Sequence, residues 1–154
     1  MNATIRYRLS QEQDLEKIGM LLAKAELPVA DLGHGKITFI VASDEKDEIV
    51  GCIGLEQIGE DGLLRSLAVD NTFRGKGIAH DLLNRLFVAS HSLGIKNLHL
   101  LTTTAEKFFD RVGFLLRSRS EAPDTIKATT EFSSLCPSSS AYMVMKDIQH
   151  AAGE

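Results

Sequence analysis

Cysteine is scarce in this chain: 154 residues contain two, Cys52 and Cys136. Two cannot build the disulfide framework of a small secreted scaffold, and they lack metal-ligand spacing. No metal is expected. Any run near ~18 consecutive apolar residues is also missing, so a membrane-spanning helix is not expected. The amino end, Met1-Asn2-Ala3-Thr4-Ile5-Arg6, enters a polar segment directly, without the apolar stretch of a secretory leader. There is no basic excess either. Lys+Arg number 17 against 21 Asp+Glu, a formal charge of −4, so no overall field draws nucleic acid. What is there is 44% hydrophobic and 25% charged, near the globular average and enough for one domain with its own core. A reducing cytoplasm is the expected compartment.

Hydrophobic periodicity gives an alternating order of strands and helices. Ile5 to Leu9 alternates as a short strand, and Ser10 with Gln13 has the spacing of a capping box. Leu15, Ile18, Leu22 and Ala25 then predict an amphipathic helix over about 11–25. Ile37–Ala42, Ile49–Leu55 and Leu63–Val69 are apolar runs separated by Asp44-Glu45-Lys46-Asp47 and Gly59-Glu60-Asp61-Gly62, which predicts an antiparallel meander. Ile78, Ala79, Leu82, Leu83, Leu86 and Ala89 form a helical stripe, and Leu98–Leu101 a strand. Strand, crossover helix and strand make a right-handed βαβ unit. A second helix spans about 105–112, a sixth strand starts at Phe114, and Ala141–Met145 is the last. The segment 119–140 is too long for a hairpin turn and reads as a lid or insertion over the substrate. The expectation is a single α/β domain over 1–154 with a mixed, mostly antiparallel seven-stranded sheet, helices on both faces, and a loose tail at 148–154.

The chemistry concentrates where the βαβ strand ends. Val69-Asp70-Asn71-Thr72-Phe73-Arg74-Gly75-Lys76-Gly77-Ile78-Ala79 passes from strand through a glycine-containing loop into a helix. The first amides of a helix have no internal acceptor, and with the helix dipole they form an anion site. Tight packing is the bland explanation for the same glycines. No Lys-Ser/Thr pair follows them, so magnesium-assisted phosphoryl transfer has no support.

Arg74-Gly75-Lys76-Gly77-Ile78-Ala79 resembles the Arg/Gln-x-x-Gly-x-Gly/Ala signature of the GCN5-related N-acetyltransferase (GNAT) superfamily. Thr102-Thr103-Thr104-Ala105-Glu106-Lys107-Phe108-Phe109-Asp110-Arg111-Val112-Gly113-Phe114 is similar to its second signature, Asn-x-x-Ala-x-x-Phe-Tyr-x-x-x-Gly-Phe. The resemblance runs through nearly the whole chain in the expected order. It implies the GNAT fold with a central acyl-CoA-binding βαβ unit, and transfer of acetyl from acetyl-CoA to an amine. It also implies that Arg74, Gly75, Lys76, Gly77, Ile78 and Ala79 hold the pyrophosphate, and that the strand at Leu67, Ala68 and Val69 pairs with the pantetheine arm. Thr102, Phe108 and Arg111 complete the implied cofactor set. Phe109 stands where the family often has a tyrosine that protonates the leaving thiolate. It has no proton to give, and reads as wall or core.

A base must take a proton from the attacking ammonium. Glu56, near the end of the third strand, is the candidate, against the plain reading of a solvated strand-end glutamate. His34, in the loop that borders the acceptor in this family, is the second candidate, against ordinary surface. Strand alternation puts Arg65 on one face with Leu67 and Val69. A guanidinium there needs an anion, either a substrate carboxylate or an internal glutamate. Leu64-Arg65-Ser66-Leu67-Ala68-Val69 with Leu100-Leu101-Thr102 is similar to short N-acetylglutamate synthases, which implies that Arg65 holds an acceptor carboxylate.

The segment Thr129 to Ala141 resembles the tail of a GNAT group encoded with arsenic-resistance genes. That likeness does not make Cys136 an arsenite ligand, since trivalent arsenic favours several thiolates and only Cys52, on a distant strand, could assist. The function expected is acetyl transfer to the amine of a small molecule, a glutamate-like amino acid or arsenical, by direct attack. No Ser-His-Asp or Cys-His arrangement suggests an acyl-enzyme. A non-catalytic acyl-CoA-binding module and a protein lysine acetyltransferase are the alternatives. The sequence leaves the oligomeric state open, a homodimer included.

Overall fold

The structure, a computed structural model, describes residues 4–32, 37–135 and 139–149. Seven strands form one mixed sheet: β1 (Arg6–Leu9), β2 (Ile37–Ser43), β3 (Ile49–Ile58), β4 (Asp61–Val69), β5 (Asn97–Thr102), β6 (Leu115–Arg117) and β7 (Ala141–Met145). Their order is β1-β2-β3-β4-β5-β7-β6. Helices α1 (Leu15–Lys24), α2 (Ile78–Ser92), α3 (Glu106–Arg111) and α4 (Asp124–Lys127) connect them. The seven strands and the βαβ crossover therefore form as the sequence predicts, with β4 and β5 parallel. The chain contacts divide into two compact units, Met1–Leu55 with Ser66–Ala89, and Glu56–Arg65 with Ser90–Glu154.

In the first unit, β1 runs antiparallel to β2 from Arg6↔Ser43 to Leu9↔Ile40. The hairpin after β2 closes on Asp44, whose carboxylate accepts from the backbone amides of Lys46 and Glu48, each at 2.9 Å. Helix α1 buries Ile18, Leu21 and Leu22, three- and four-residue spacings that share one face, against Phe39, Val41, Cys52 and Ala68. Its start differs from the expected Ser10–Gln13 capping box. A 3-10 turn over Glu12–Asp14 comes first, and Asp14 Oδ2 accepts from the Gln11 amide at 2.7 Å. Asp14 also takes both arms of Arg8, at 2.7 and 3.1 Å, and this pairing lowers its carboxyl pKa.

Helix α2 lies close on the sheet because β3 offers a glycine under it. A Cβ at Gly51 would stand 3.2 Å from Ile78 Cγ2, 3.3 Å from Leu82 Cδ1 and 3.4 Å from the Ala68 carbonyl. Tyr7 of β1 donates from its hydroxyl to Asp81 Oδ2 at 2.8 Å, and the Arg85 guanidinium covers its ring at 4.4 Å.

The second unit is built on β7, which runs antiparallel to β5 (Leu98↔Met145 to Thr102↔Ala141) and to β6 (Leu115↔Val144 to Arg117↔Tyr142). The segment expected to be a long loop is instead folded. It carries a 3-10 turn at Arg119–Glu121, α4, and a π-helical turn at Glu131–Leu135. Ala122, Ile126 and Phe132 bury themselves against Leu63, Tyr142 and Val144, so apolar positions hidden in a polar stretch drive its collapse. Arg119 fastens it: the guanidinium lies 4.7 Å over the Phe132 ring and donates to the carbonyls of Phe132 (3.2 Å) and Ser140 (3.3 Å). The expected loose tail is anchored where it begins. Ile148 is buried, its amide donates to the Lys96 carbonyl at 2.8 Å, and Gln149 donates to the Ile95 and His91 carbonyls.

Candidate functional site

The glycine loop belongs to the first unit. After Val69 the chain turns on Asp70, whose Oδ1 accepts from the Thr72 amide (3.0 Å) and hydroxyl (2.8 Å). These bonds lower the Asp70 pKa, so the carboxylate persists as the turn's acceptor. A 3-10 turn over Asn71–Phe73 follows. Arg74 is extended and donates from Nε to the Val69 carbonyl at 3.4 Å, while Lys76 reaches over the Phe73 ring at 5.6 Å. Gly75 and Gly77 take φ of 79° and 82°, left-handed values that cost an L-residue about 1–2 kcal/mol. A Cβ at either would meet nothing within 4 Å. The glycines are thus required by the backbone's course, not by packing, and leave open space beside the first amides of α2. Ile78 anchors that helix in the core while residues 74 to 77 are exposed. The arrangement can receive a phosphate.

The strand leading to this loop departs from simple alternation. Ser66, inside β4, has φ of 59°, and its carbonyl accepts from the Cys52 thiol at 3.3 Å. Burial raises that thiol's pKa to about 12, so Cys52 is an inert core group. A left-handed residue interrupts the regular two-residue period on which the expected shared face of Arg65, Leu67 and Val69 rests. The parallel β4–β5 register extends from Asp61↔Asn97 to Leu63↔His99, and β4 continues to Val69, beyond that register.

In the second unit, Arg65 and Glu56 do meet. Arg65 Nη1 is 3.5 Å from Glu56 Oε1, and Arg65 Nε is 3.8 Å from Glu131 Oε1. The Arg65 side chain is 0% exposed, Glu131 5% and Glu56 13%, so Glu56 is the member of the group nearest to solvent. Glu131 was not singled out by the sequence. It sits in a segment read as a lid, and nothing in the local pattern marks it as facing inward. His34 lies outside the described residues, as does Cys136.

Thr102 ends β5 and accepts at Oγ1 from the Ala105 amide at 2.9 Å, which shapes the turn into α3. Phe108 meets Phe109 edge to face at 5.1 Å, and Phe109 meets Phe114 at 5.6 Å. Phe109 is buried core, while Arg111 is exposed at the end of α3. Among the described residues, no group of three His, Cys, Asp or Glu is placed to hold a metal ion, and no helix is long and apolar enough to cross a membrane.

This seven-stranded mixed sheet, with a glycine loop opening its crossover helix, is an acyltransferase architecture, and the comparisons with known proteins agree. The acetyltransferase (GNAT) domain model matches residues 35–115, and the chain belongs to that family. It is 37% identical over 68 residues, 44% of its length, to an amino-acid acetyltransferase of Mycobacterium tuberculosis, and 31% identical over 102 residues, 65% of its length, to that of Pseudomonas syringae pv. syringae. The chain spans 38% and 23% of the length of these two relatives. An uncharacterized protein of Bacillus subtilis, YwlB, is 27% identical over 70% of this chain and 74% of its own. Among solved structures, N-acetylglutamate synthase of Neisseria gonorrhoeae, complexed with coenzyme A and N-acetyl-glutamate, superposes with a TM-score of 0.79 at 20% identity. That match covers 95% of this chain and 36% of the synthase. The GNAT protein YhbS of Escherichia coli, in complex with CoA, gives 0.70 at 20% identity over 95% of this chain and 83% of that one.

Proposed function

We propose that this protein transfers acetyl from acetyl-CoA to the amine of a small acidic molecule, a glutamate-like amino acid or an arsenical of similar shape. The observation that carries the reading is the pair of left-handed glycines, Gly75 and Gly77, at the start of α2 with open space at each. A side chain at either would intrude where a phosphate must approach the amides. Arg74 to Ala79 would hold the pyrophosphate, and the backbone of Leu67, Ala68 and Val69 would offer donors and acceptors to the pantetheine amides. When bound, acetyl-CoA supplies the acyl group in activated thioester form.

The chain's own part is to bind, orient and accept a proton. Glu56 is the base: of the two carboxylates beside Arg65 it is the more exposed, so a proton taken from the acceptor ammonium can leave to water. Arg65 is the carboxylate anchor, since a guanidinium matches a carboxylate with two parallel hydrogen bonds. Relatives named amino-acid acetyltransferase support an amino-acid acceptor. The arsenical rests on the likeness of the 129–141 segment to the arsenic-associated group.

A second reading has its own observation. Phe109, buried between Phe108 and Phe114, cannot protonate a thiolate, which favours a module that binds acyl-CoA without turnover. A screen of amines followed by release of free CoA thiol decides between them. Release with amino acids carrying a side-chain acid is expected. Acetyl-CoA binding without thiol release from any amine would establish the binding module, and release with lysine peptides alone would establish a protein acetyltransferase.

A further inference from the structure

We infer that Glu131 is an internal stand-in for the acceptor's carboxylate: it occupies one edge of the Arg65 guanidinium and is displaced when an acidic acceptor binds. The inference rests on the reading of Arg65 as the acceptor anchor and adds the residue that sets acceptor affinity. Glu56 and Glu131 address different nitrogens of one guanidinium, Nη1 at 3.5 Å and Nε at 3.8 Å. Neither approaches the 2.7–2.9 Å of a well-formed charge-assisted bond, about 2.8 Å being typical. Arg65 and Glu131 are nevertheless almost fully buried, where a charge is held only by a partner. Glu131 therefore neutralises Arg65 without making the bidentate contact a free carboxylate could make.

Its position suits displacement. Glu131 opens the short π-helical turn Glu131–Leu135. The next residue is fixed, because Arg119 both donates to the Phe132 carbonyl and covers its ring. With the backbone tethered at Phe132, the displacement inferred is a rotation of the Glu131 side chain alone. A site that is partly occupied by its own carboxylate binds an acidic ligand with an apparent Kd raised by the reciprocal of the fraction of time it is free. Glu131 is thus a positioning residue, and removing its charge tightens acceptor binding.

The test titrates L-glutamate into the full-length protein without acetyl-CoA, by calorimetry, for wild type, Glu131→Gln and Arg65→Lys. Glu131→Gln should bind L-glutamate about tenfold more tightly. In turnover the same variant should show a lower acceptor KM with kcat kept. Arg65→Lys should weaken binding by about tenfold or more. Weakening in Arg65→Lys with unchanged or weaker binding in Glu131→Gln would overturn the displacement alone. Unchanged binding in a folded Arg65→Lys would overturn the acceptor reading and the displacement with it. Should Glu131→Gln fail to fold, Glu131→Asp keeps the charge but shortens its reach, and must also tighten binding for the inference to stand.

Discussion

The Tyr142 hydroxyl lies 2.7 Å from Nδ1 of His99, and the two rings stack with 9° between their planes. On its other side His99 Nε2 is 2.8 Å from Asp61 Oδ1, so a buried imidazole on β5 is satisfied at both nitrogens by β7 and β4. Inside the apolar cluster of the second unit, such a chain is worth most when complete. Tyr142→Phe leaves Nδ1 without its hydroxyl, and should cost about 1–3 kcal/mol of stability. Urea unfolding checks it. A midpoint equal to wild type would show that water takes the hydroxyl's place.

The two tyrosines, Tyr7 and Tyr142, make a pH prediction. Burial, then the hydrogen bond to Asp81, raises the Tyr7 pKa from 10.0 to about 12. Burial, then the charge of Asp61, does the same at Tyr142. A raised folded pKa contributes stability that is full below the unfolded value and is lost as pH rises through the folded one. The protein should therefore lose stability between pH 10.0 and about 12, and ultraviolet titration should show no tyrosinate in the folded protein near pH 10.0. One tyrosinate forming near its ordinary pH would contradict the geometry at that residue.

Gly77→Glu should abolish acetyl-CoA binding. It places an L-residue at φ of 82° and an anion where the pyrophosphate would sit. Gly77→Ala separates the two effects: it carries the strain of about 1–2 kcal/mol without the charge, and should retain weakened binding. Calorimetry with CoA reads both. Normal affinity in a folded Gly77→Glu protein would remove the loop from the cofactor site.

Glu56→Gln removes the base while keeping its size. Turnover should fall roughly 10²-fold with CoA affinity retained, and the acid limb of the pH–rate profile should disappear. An unchanged profile would assign proton removal to another group. Arg65 beside it must remain folded in the variant, which a thermal melt verifies.

The legible features were those with period and punctuation. The strand runs β2 to β4, the α2 stripe and the glycine loop that opens α2 all announce themselves through apolar spacing and glycine. Ser66 did not, because nothing in Leu64-Arg65-Ser66-Leu67 signals a left-handed residue; serine fits an ordinary strand as well. The 119–135 roof was hidden for a related reason: Ala122, Ile126 and Phe132 are spaced too irregularly for one helix, and find their common face only through three separate short turns. Glu56 and Arg65 were visible as residue types at strand positions. Their meeting with Glu131 depends on a contact across more than sixty positions of chain, about which local pattern is silent.

Gly51 gives position 51 an influence out of proportion to its chemistry. The distance between β3 and α2 is set there by a hydrogen atom, since a methyl would already press on Ile78, Leu82 and the Ala68 carbonyl. Ile78 is the first residue of α2, one peptide beyond Gly77. The floor beneath the helix and the mouth of the anion loop are therefore parts of one lever, with its fulcrum deep in the sheet. A substitution at position 51 is therefore expected to alter the loop's affinity for anions by shifting α2, and a search confined to the loop would miss it.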